Sequence, residues 1–464
     1  MSAREKAGTN ETKRHKRDLT TGSIPKKLLR LALPIMGGMF LQTVFNIVDT
    51  FFVSRLGSNA IAAVSMNLPV LLILIALGNA VSVGTSSYIA RSIGAGKEGE
   101  ARTTASQAIT LAIILGVVTT AIGVSMAPFI LVWMGAAGEV HAMALSYTRT
   151  LFWGNLIIFL FMALDGVLRG EGDMKTSMMK QVVAVGFNIL LDPIFIFGLG
   201  PIPALGVGGA ALATVISRIL GLVFLVWHFT SGKSTIEFNM TKLIFVPHIV
   251  REVLGVGLPT SASQAMLSLT LSVYNRLASG FSEEAVAALG LGFRIDSLAI
   301  LPGIAIGISM VTMVGQNYGA GELERVRRSY WTAMGIAAGF MTTVGILLIA
   351  FPQFFIGIFS QDEDVMTYGI SYLRILPLFY PFLASGLVSA HSFQGLGKAM
   401  PALLISLIRE GLIAIPLAYL LATQTQLGVP GIWLAMGISD FSFFVIGLIW
   451  FRSTFRSLTR FTCP

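Results

Sequence analysis

The stretch "GAGKEGEAR" at residues 94–102 returns as "GAGELERVR" at 319–327, 225 residues further along the chain. At the same spacing Leu33 and Pro34 recur as Leu258 and Pro259, "AIAAV" at 60–64 as "AVAAL" at 285–289, and "RGEGD" at 169–173 as "QGLGK" at 394–398. Near the end "GVGGAALATVIS" at 206–217 returns as "GVPGIWLAMGIS" at 428–439, so a loop has lost three residues. Matches held in one register mark a duplicated unit of more than 200 residues, far longer than a solenoid repeat.

Composition says what the unit is made of. Of 464 residues, 54% are hydrophobic and 12% charged, about half the roughly 25% charge of a soluble globular chain. Twelve apolar windows stand out: roughly 30–54, 62–90, 103–131, 143–168, 176–199, 205–231, 249–280, 285–316, 329–357, 368–393, 399–423 and 429–452. Each reaches or exceeds the ~20 residues a helix needs to cross a bilayer. The expected fold is an all-α integral membrane protein with twelve transmembrane helices in two six-helix bundles related by a pseudo-twofold axis. An even number of spans per repeat gives both bundles one orientation, and two parallel bundles suit a transporter.

The predicted organisation is a disordered cytoplasmic tail at 1–23, an N-lobe at 24–231, a cytoplasmic linker at 232–248, a C-lobe at 249–452 and a cytoplasmic tail at 453–464. Most Lys and Arg fall on one set of loops, including Arg91, Lys97, Arg102, Lys233, Arg325, Arg327 and Arg328, and the opposite loop "SQDEDV" is acidic. The positive-inside rule then puts both termini in the cytoplasm, in a cell or inner membrane. The net charge of +9 and the pI near 9.7 follow from that topology, so no nucleic-acid partner is expected. One cysteine, Cys463, excludes a disulfide framework and a multi-cysteine metal site. "SGKST" at 231–235 ends like a phosphate loop, but its first glycine would fall on Trp227. No catalytic constellation or cofactor motif is present, and the chain is expected not to be an enzyme.

Acids inside the spans carry the functional reading, since a carboxylate at the bilayer centre costs roughly 2.5–3.5 kcal/mol on insertion scales. Gln42, Asn46 and Asp49 share one stripe of the first span at i, i+4 and i+7. Asn188 and Asp192 are i, i+4 neighbours in the fifth, with Gln181 extending the stripe, while Tyr147 and Thr214 lie in the fourth and sixth. Under the repeat Asp49 corresponds to Tyr274 and Asp192 to Leu417, so the scaffold is duplicated and the acids are not. That one-sidedness points to ion coupling rather than to hydrogen bonding between helices. Asp165 and Arg169 have ion-pair spacing. Arg294 with Asp296, Arg409 with Glu410, Arg218 and Asp440 read as internal pairs along a cleft. Pro34 and Pro259 lie within helices, where each permits either a static kink or a hinge.

These motifs resemble the multidrug and toxic compound extrusion family over about residues 25–452: "LALPIMGGMFLQTVFNIVDTFFVSRLGSNAIAAV", "VLRGEGDMKTSM", "FNILLDPIFIFGLGPIPALGVGGAALATVIS" and "VGQNYGAGELERV". The likeness is to the DNA-damage-inducible F branch. It implies an antiporter expelling amphipathic, often cationic drugs, with Asp49 and Asp192 handling the coupling ion beside Gln42, Tyr147, Asn188 and Thr214, and Pro34 as a bend. The spans at 257–280 and 368–393 contain no Asp or Glu, a departure from the sodium-coupled branch, so H+ is the expected coupling ion and Na+ the alternative. Expected partners are such drugs and membrane lipid, with the chain acting as a monomer. A lipid-linked oligosaccharide flippase and a non-transporting membrane scaffold or receptor are the competing readings.

Overall fold

The computed structural model describes residues 18–236 and 245–460. The "KRHKR" segment with the rest of 1–17, the middle of the expected linker at 237–244, and 461–464 with Cys463 lie outside the described residues.

Among the described residues the regular structure is helical, apart from an isolated bridge between Leu199 and Ile202. Its spans are α1 (Ile24–Ser54), α2 (Ser58–Gly94), α3 (Glu98–Trp133), α4 (Gly138–Glu171), α5 (Met174–Phe197), α6 (Gly206–Thr230), α7 (Pro247–Ser279), α8 (Glu283–Ala299 continuing as Leu301–Gly319), α9 (Leu323–Ala350), α10 (Glu363–Gly395), α11 (Ala399–Thr423) and α12 (Val429–Arg460). Among the described residues ten helices are individually long and apolar enough to cross a membrane, and α8 is an eleventh if its two parts, bent by 51°, count as one span. The break falls where Pro302 enters the first turn of the second part, a position proline favours because its missing N–H costs no bond there. Helix α7 is 33 residues long, but its Ser, Thr, Gln and Asn side chains dilute the apolar character.

Several helices run past the apolar windows into charged turns: α1 begins at Ile24, α3 at Glu98, and α12 continues to Arg460 in the stretch expected as a tail. The predicted span 329–357 stops at Ala350, because Pro352 cannot donate within the helix and starts a short helix, Pro352–Gly357, instead. Helix α11 carries a π-helical segment at Ile408–Ala414, which holds Arg409 and Glu410.

Two compact units divide the described chain. The first centres on Gly37–Gly257, and the second comprises Leu19–Met36 with Leu258–Pro464. Both change-over points lie inside helices, just after Pro34 and just before Pro259, rather than at the ends of the lobes expected at 24–231 and 249–452. The start of α1 therefore packs with the second unit and the start of α7 with the first.

In the first unit α4 is the central helix, packed on α2, α3 and α6, with Phe159, Phe161, Leu164 and Leu168 against Ile89, Leu111 and Leu225. Val250 and Val253 from the start of α7 join this core. Backbone packs on backbone there: a Cβ on Gly84 would meet the Val253 carbonyl oxygen at 2.0 Å, and one on Gly257 the Ala80 carbonyl at 1.9 Å. Close approach through small residues is how helices associate in lipid, where tails are as apolar as leucine. In the second unit α10 takes the central place, against α8, α9 and α12. The Tyr330 ring stacks on Phe451 at 3.7 Å and its hydroxyl meets Ser389 Oγ at 2.8 Å. Large apolar residues such as Phe129, Trp153, Ile346 and Leu412 remain exposed on the outer helix faces, as lipid contact requires.

Candidate functional site

Helix α1 presents Gln42, Asn46 and Asp49 in sequence, and Gln42 Nε2 donates to Asn46 Oδ1 (3.2 Å). Helix α5 supplies Gln181, Asn188 and Asp192, all buried, with Asn188 Nδ2 donating to Asp192 Oδ1 (3.1 Å). The two stripes meet where Gln181 Nε2 donates to Gln42 Oε1 (2.7 Å). Tyr147 is buried on α4, and Asp49, Asp192 and the Tyr147 hydroxyl lie near enough to act on one another electrostatically. Thr214 on α6 is half-buried and makes no side-chain hydrogen bond to the acids.

Three oxygens of this group are buried without a hydrogen-bond partner among the described residues: Asp49 Oδ1, Asp192 Oδ2 and Asn188 Oδ1. Buried polar atoms are normally satisfied, and an ionised carboxylate can only accept. The cluster therefore has surplus acceptors, and a proton on a carboxylate or a small hard cation among the oxygens supplies what is lacking. No cluster of three or more His, Cys, Asp or Glu suited to a metal ion occurs among the described residues.

The role of Arg218 escaped the sequence reading. One turn beyond Thr214, its Nη1 donates to Gln181 Oε1 (3.2 Å) and its Nη2 to Gln42 Oε1 (3.1 Å), with the guanidinium 4.9 Å from the Phe161 ring centre. A lone arginine twelve residues into an apolar helix was the available signal, sharpened by its repeat counterpart, Asp440, of opposite charge.

The remaining charges sort by helix geometry. Asp165 binds Arg169 (2.8 Å) as its spacing implied, but also Lys180 of α5 (2.9 Å), and accepts from Ser177 Oγ. Arg294 and Asp296 do not pair. Residues two apart point to different sides of a helix, so Arg294 is exposed while Asp296 is buried and accepts from the Tyr372 (2.6 Å) and Tyr380 hydroxyls. Arg409 bridges to Asp440 (2.6 Å) on α12 and more loosely to Glu410 (3.4 Å). Tyr274, at the place corresponding to Asp49, is buried beside Ser439 and this cluster. In "SGKST", the Ser234 and Thr235 hydroxyls donate to the Glu171 carboxylate (2.8 and 2.6 Å), so both are already engaged.

The model of the MatE family matches residues 34–194 and again 259–420, the same two segments the internal repeat defines. The chain belongs to the MatE family. MatE proteins are secondary transporters and not enzymes. Similar relatives include the probable multidrug resistance protein NorM of Thermotoga maritima, 30% identical over 94% of this chain and 92% of that one. The FAD transporter of Shewanella oneidensis is 28% identical over 91% and 93%. A MATE crystal structure in the bent conformation superposes with a TM-score of 0.91 at 32% identity, covering 96% of this chain and 98% of that chain. The straight conformation gives 0.90. With MatE architecture shared over nearly the whole length, the second-unit charges sit in a membrane-embedded bundle, where Asp296 accepts from two tyrosine hydroxyls and Arg409 pairs with Asp440 and Glu410.

Proposed function

We propose that this MatE chain is a proton-coupled multidrug efflux antiporter, exporting amphipathic, often cationic compounds by alternating access, with Asp49 and Asp192 as the coupling pair and both termini in the cytoplasm. The observation that carries the reading is the set of partnerless buried oxygens on Asp49, Asp192 and Asn188. Arg218, a cation in the same network, is engaged with Gln42 and Gln181. Deprotonated, the pair favours a cationic drug. An entering proton neutralises a carboxylate and weakens that hold, so the drug leaves outward. One pH unit supplies about 1.4 kcal/mol and 100 mV about 2.3 kcal/mol per charge, enough for one proton to sustain a substantial drug gradient.

The multidrug names of the NorM relative and of the Staphylococcus aureus export protein MepA support the substrate class. The FAD transporter relative supports a second reading, export of an anionic flavin nucleotide. Proteoliposomes loaded separately with ethidium, norfloxacin or FAD, under separate pH and Na+ gradients, distinguish them. The expected result is drug efflux driven by the pH gradient and lost in Asp49→Asn and Asp192→Asn. Undiminished efflux in both variants would sink the coupling assignment, and gradient-driven FAD movement without drug movement would shift the substrate.

A further inference from the structure

The segment leading into α1 is held by a built anchor. Arg325, in the first turn of α9, donates from Nε to the Leu19 carbonyl (3.1 Å), from Nη1 to Gly22 (3.0 Å) and from Nη2 to Thr21 (2.6 Å). Gln316 Oε1 accepts the Leu19 N–H (3.3 Å), and Leu19 itself is buried. Gly22 has φ +68°, the left-handed conformation that turns the segment so that neighbouring carbonyls face the guanidinium fork. The carbonyls of Leu19, Thr21 and Gly22, in a stretch expected as part of a disordered tail, meet a planar multi-donor cation that few other side chains could replace.

The repeat does not carry the arginine over. The residue 225 positions before Arg325 is Glu100, which is engaged with Lys97 (3.1 Å) and Tyr88 (3.2 Å). At the entry to α7, Gln107 Oε1 accepts the Val246 N–H (2.9 Å). Arg325 thus grips the segment that leads into the helix carrying Asp49. Beyond the anchor, α1 stays with the second unit through Met36, passes Pro34, and continues in the first unit from Gly37 to the polar stripe.

We propose that Arg325 is a positioning residue for transport: it pins the start of α1 to the second unit, so that flexing at Pro34 displaces the Asp49-bearing part of the helix rather than its N-terminal end. The inference rests on α1 being the coupling helix. A helix fixed at one end and weakened by a proline transmits its bend to the other end, whereas an unpinned one dissipates it.

The test uses the full-length chain in a Cys463→Ser background, in proteoliposomes, with rates normalised to folded protein. Arg325→Ala is expected to lower the maximal ethidium efflux rate about tenfold, equivalent to about 1.4 kcal/mol in the barrier, while KM stays within about twofold because Arg325 lies outside the polar stripe. Arg327→Ala, whose exposed side chain binds Glu324, is expected to match the parent. In the Thr21→Cys, Arg325→Cys pair, a short bismaleimide crosslink is expected to restore the rate, which neither lost charge nor lost packing would allow. Should Arg325→Ala not fold, Arg325→Lys, which keeps the charge but not the three-pronged fork, is expected to run at least threefold below the parental rate. A parental rate in the anchor variants, or a crosslinked pair that stays slow, overturns the proposal. Normal efflux in Asp49→Asn would remove the coupling reading while leaving the Arg325→Ala rate as measured, so the two failures are separable.

Discussion

Gln181 and Gln42 meet across 2.7 Å, and the Gln42 oxygen that accepts from Gln181 also accepts from Arg218. One amide oxygen thus ties α1 to α5 and α6 below the acids. Gln42→Ala leaves a donor on each neighbouring helix short of an acceptor, at a cost of about 1–3 kcal/mol. A lower thermal midpoint in detergent is expected. Gln42→Glu should do the opposite, since it gives Arg218 an ion pair: a higher midpoint together with slower ethidium efflux, because α1 is then held too tightly.

Asp165 neutralises two cations from two helices, so its removal acts on stability more than on coupling. Asp165→Asn leaves Lys180 and Arg169 without their shared carboxylate, and breaking a buried pair this way costs about 3–5 kcal/mol. The expected outcome is a marked fall in the thermal midpoint with an unchanged pH dependence of efflux in the molecules that remain folded. A changed pH dependence with an unchanged midpoint would place Asp165 in the coupling machinery.

Two glycines on one helix make a matched pair. A Cβ on Gly257 would sit 1.9 Å from the Ala80 carbonyl oxygen, whereas one on Gly255 meets nothing within 4 Å. Gly257→Ala is therefore expected to destabilise the first unit by about 1–3 kcal/mol, the usual range for overpacking. Gly255→Ala should be neutral or slightly stabilising, since alanine is the better helix former. Thermal unfolding of both variants checks the start of α7 as part of the first unit.

Much of this was written in patterns that sequence displays directly. Apolar windows gave the spans, and the 225-residue register gave the duplication, because both are one-dimensional signals. The Gln42, Asn46 and Asp49 stripe was legible for the same reason: helical spacing alone puts those residues on one face. What depended on which helices touch was not legible. Nothing in the chain announced that Lys180 would complete Asp165, that Tyr372 and Tyr380 would take Asp296 from Arg294, or that Arg218 would reach across to Gln42. The change of unit inside α1 and α7 was hidden as well. Proline marks where a helix is weak but does not say against which bundle each part packs.

The most direct test of the central claim is proton release on drug binding. In weakly buffered detergent solution near the pH at which the acids titrate, ethidium added to the wild-type protein should displace protons into the medium. The Asp49→Asn, Asp192→Asn double variant should displace none, whether or not it still binds. Drug binding without proton release by the wild type, or the same release from the double variant, would contradict competition at the Asp49 and Asp192 pair.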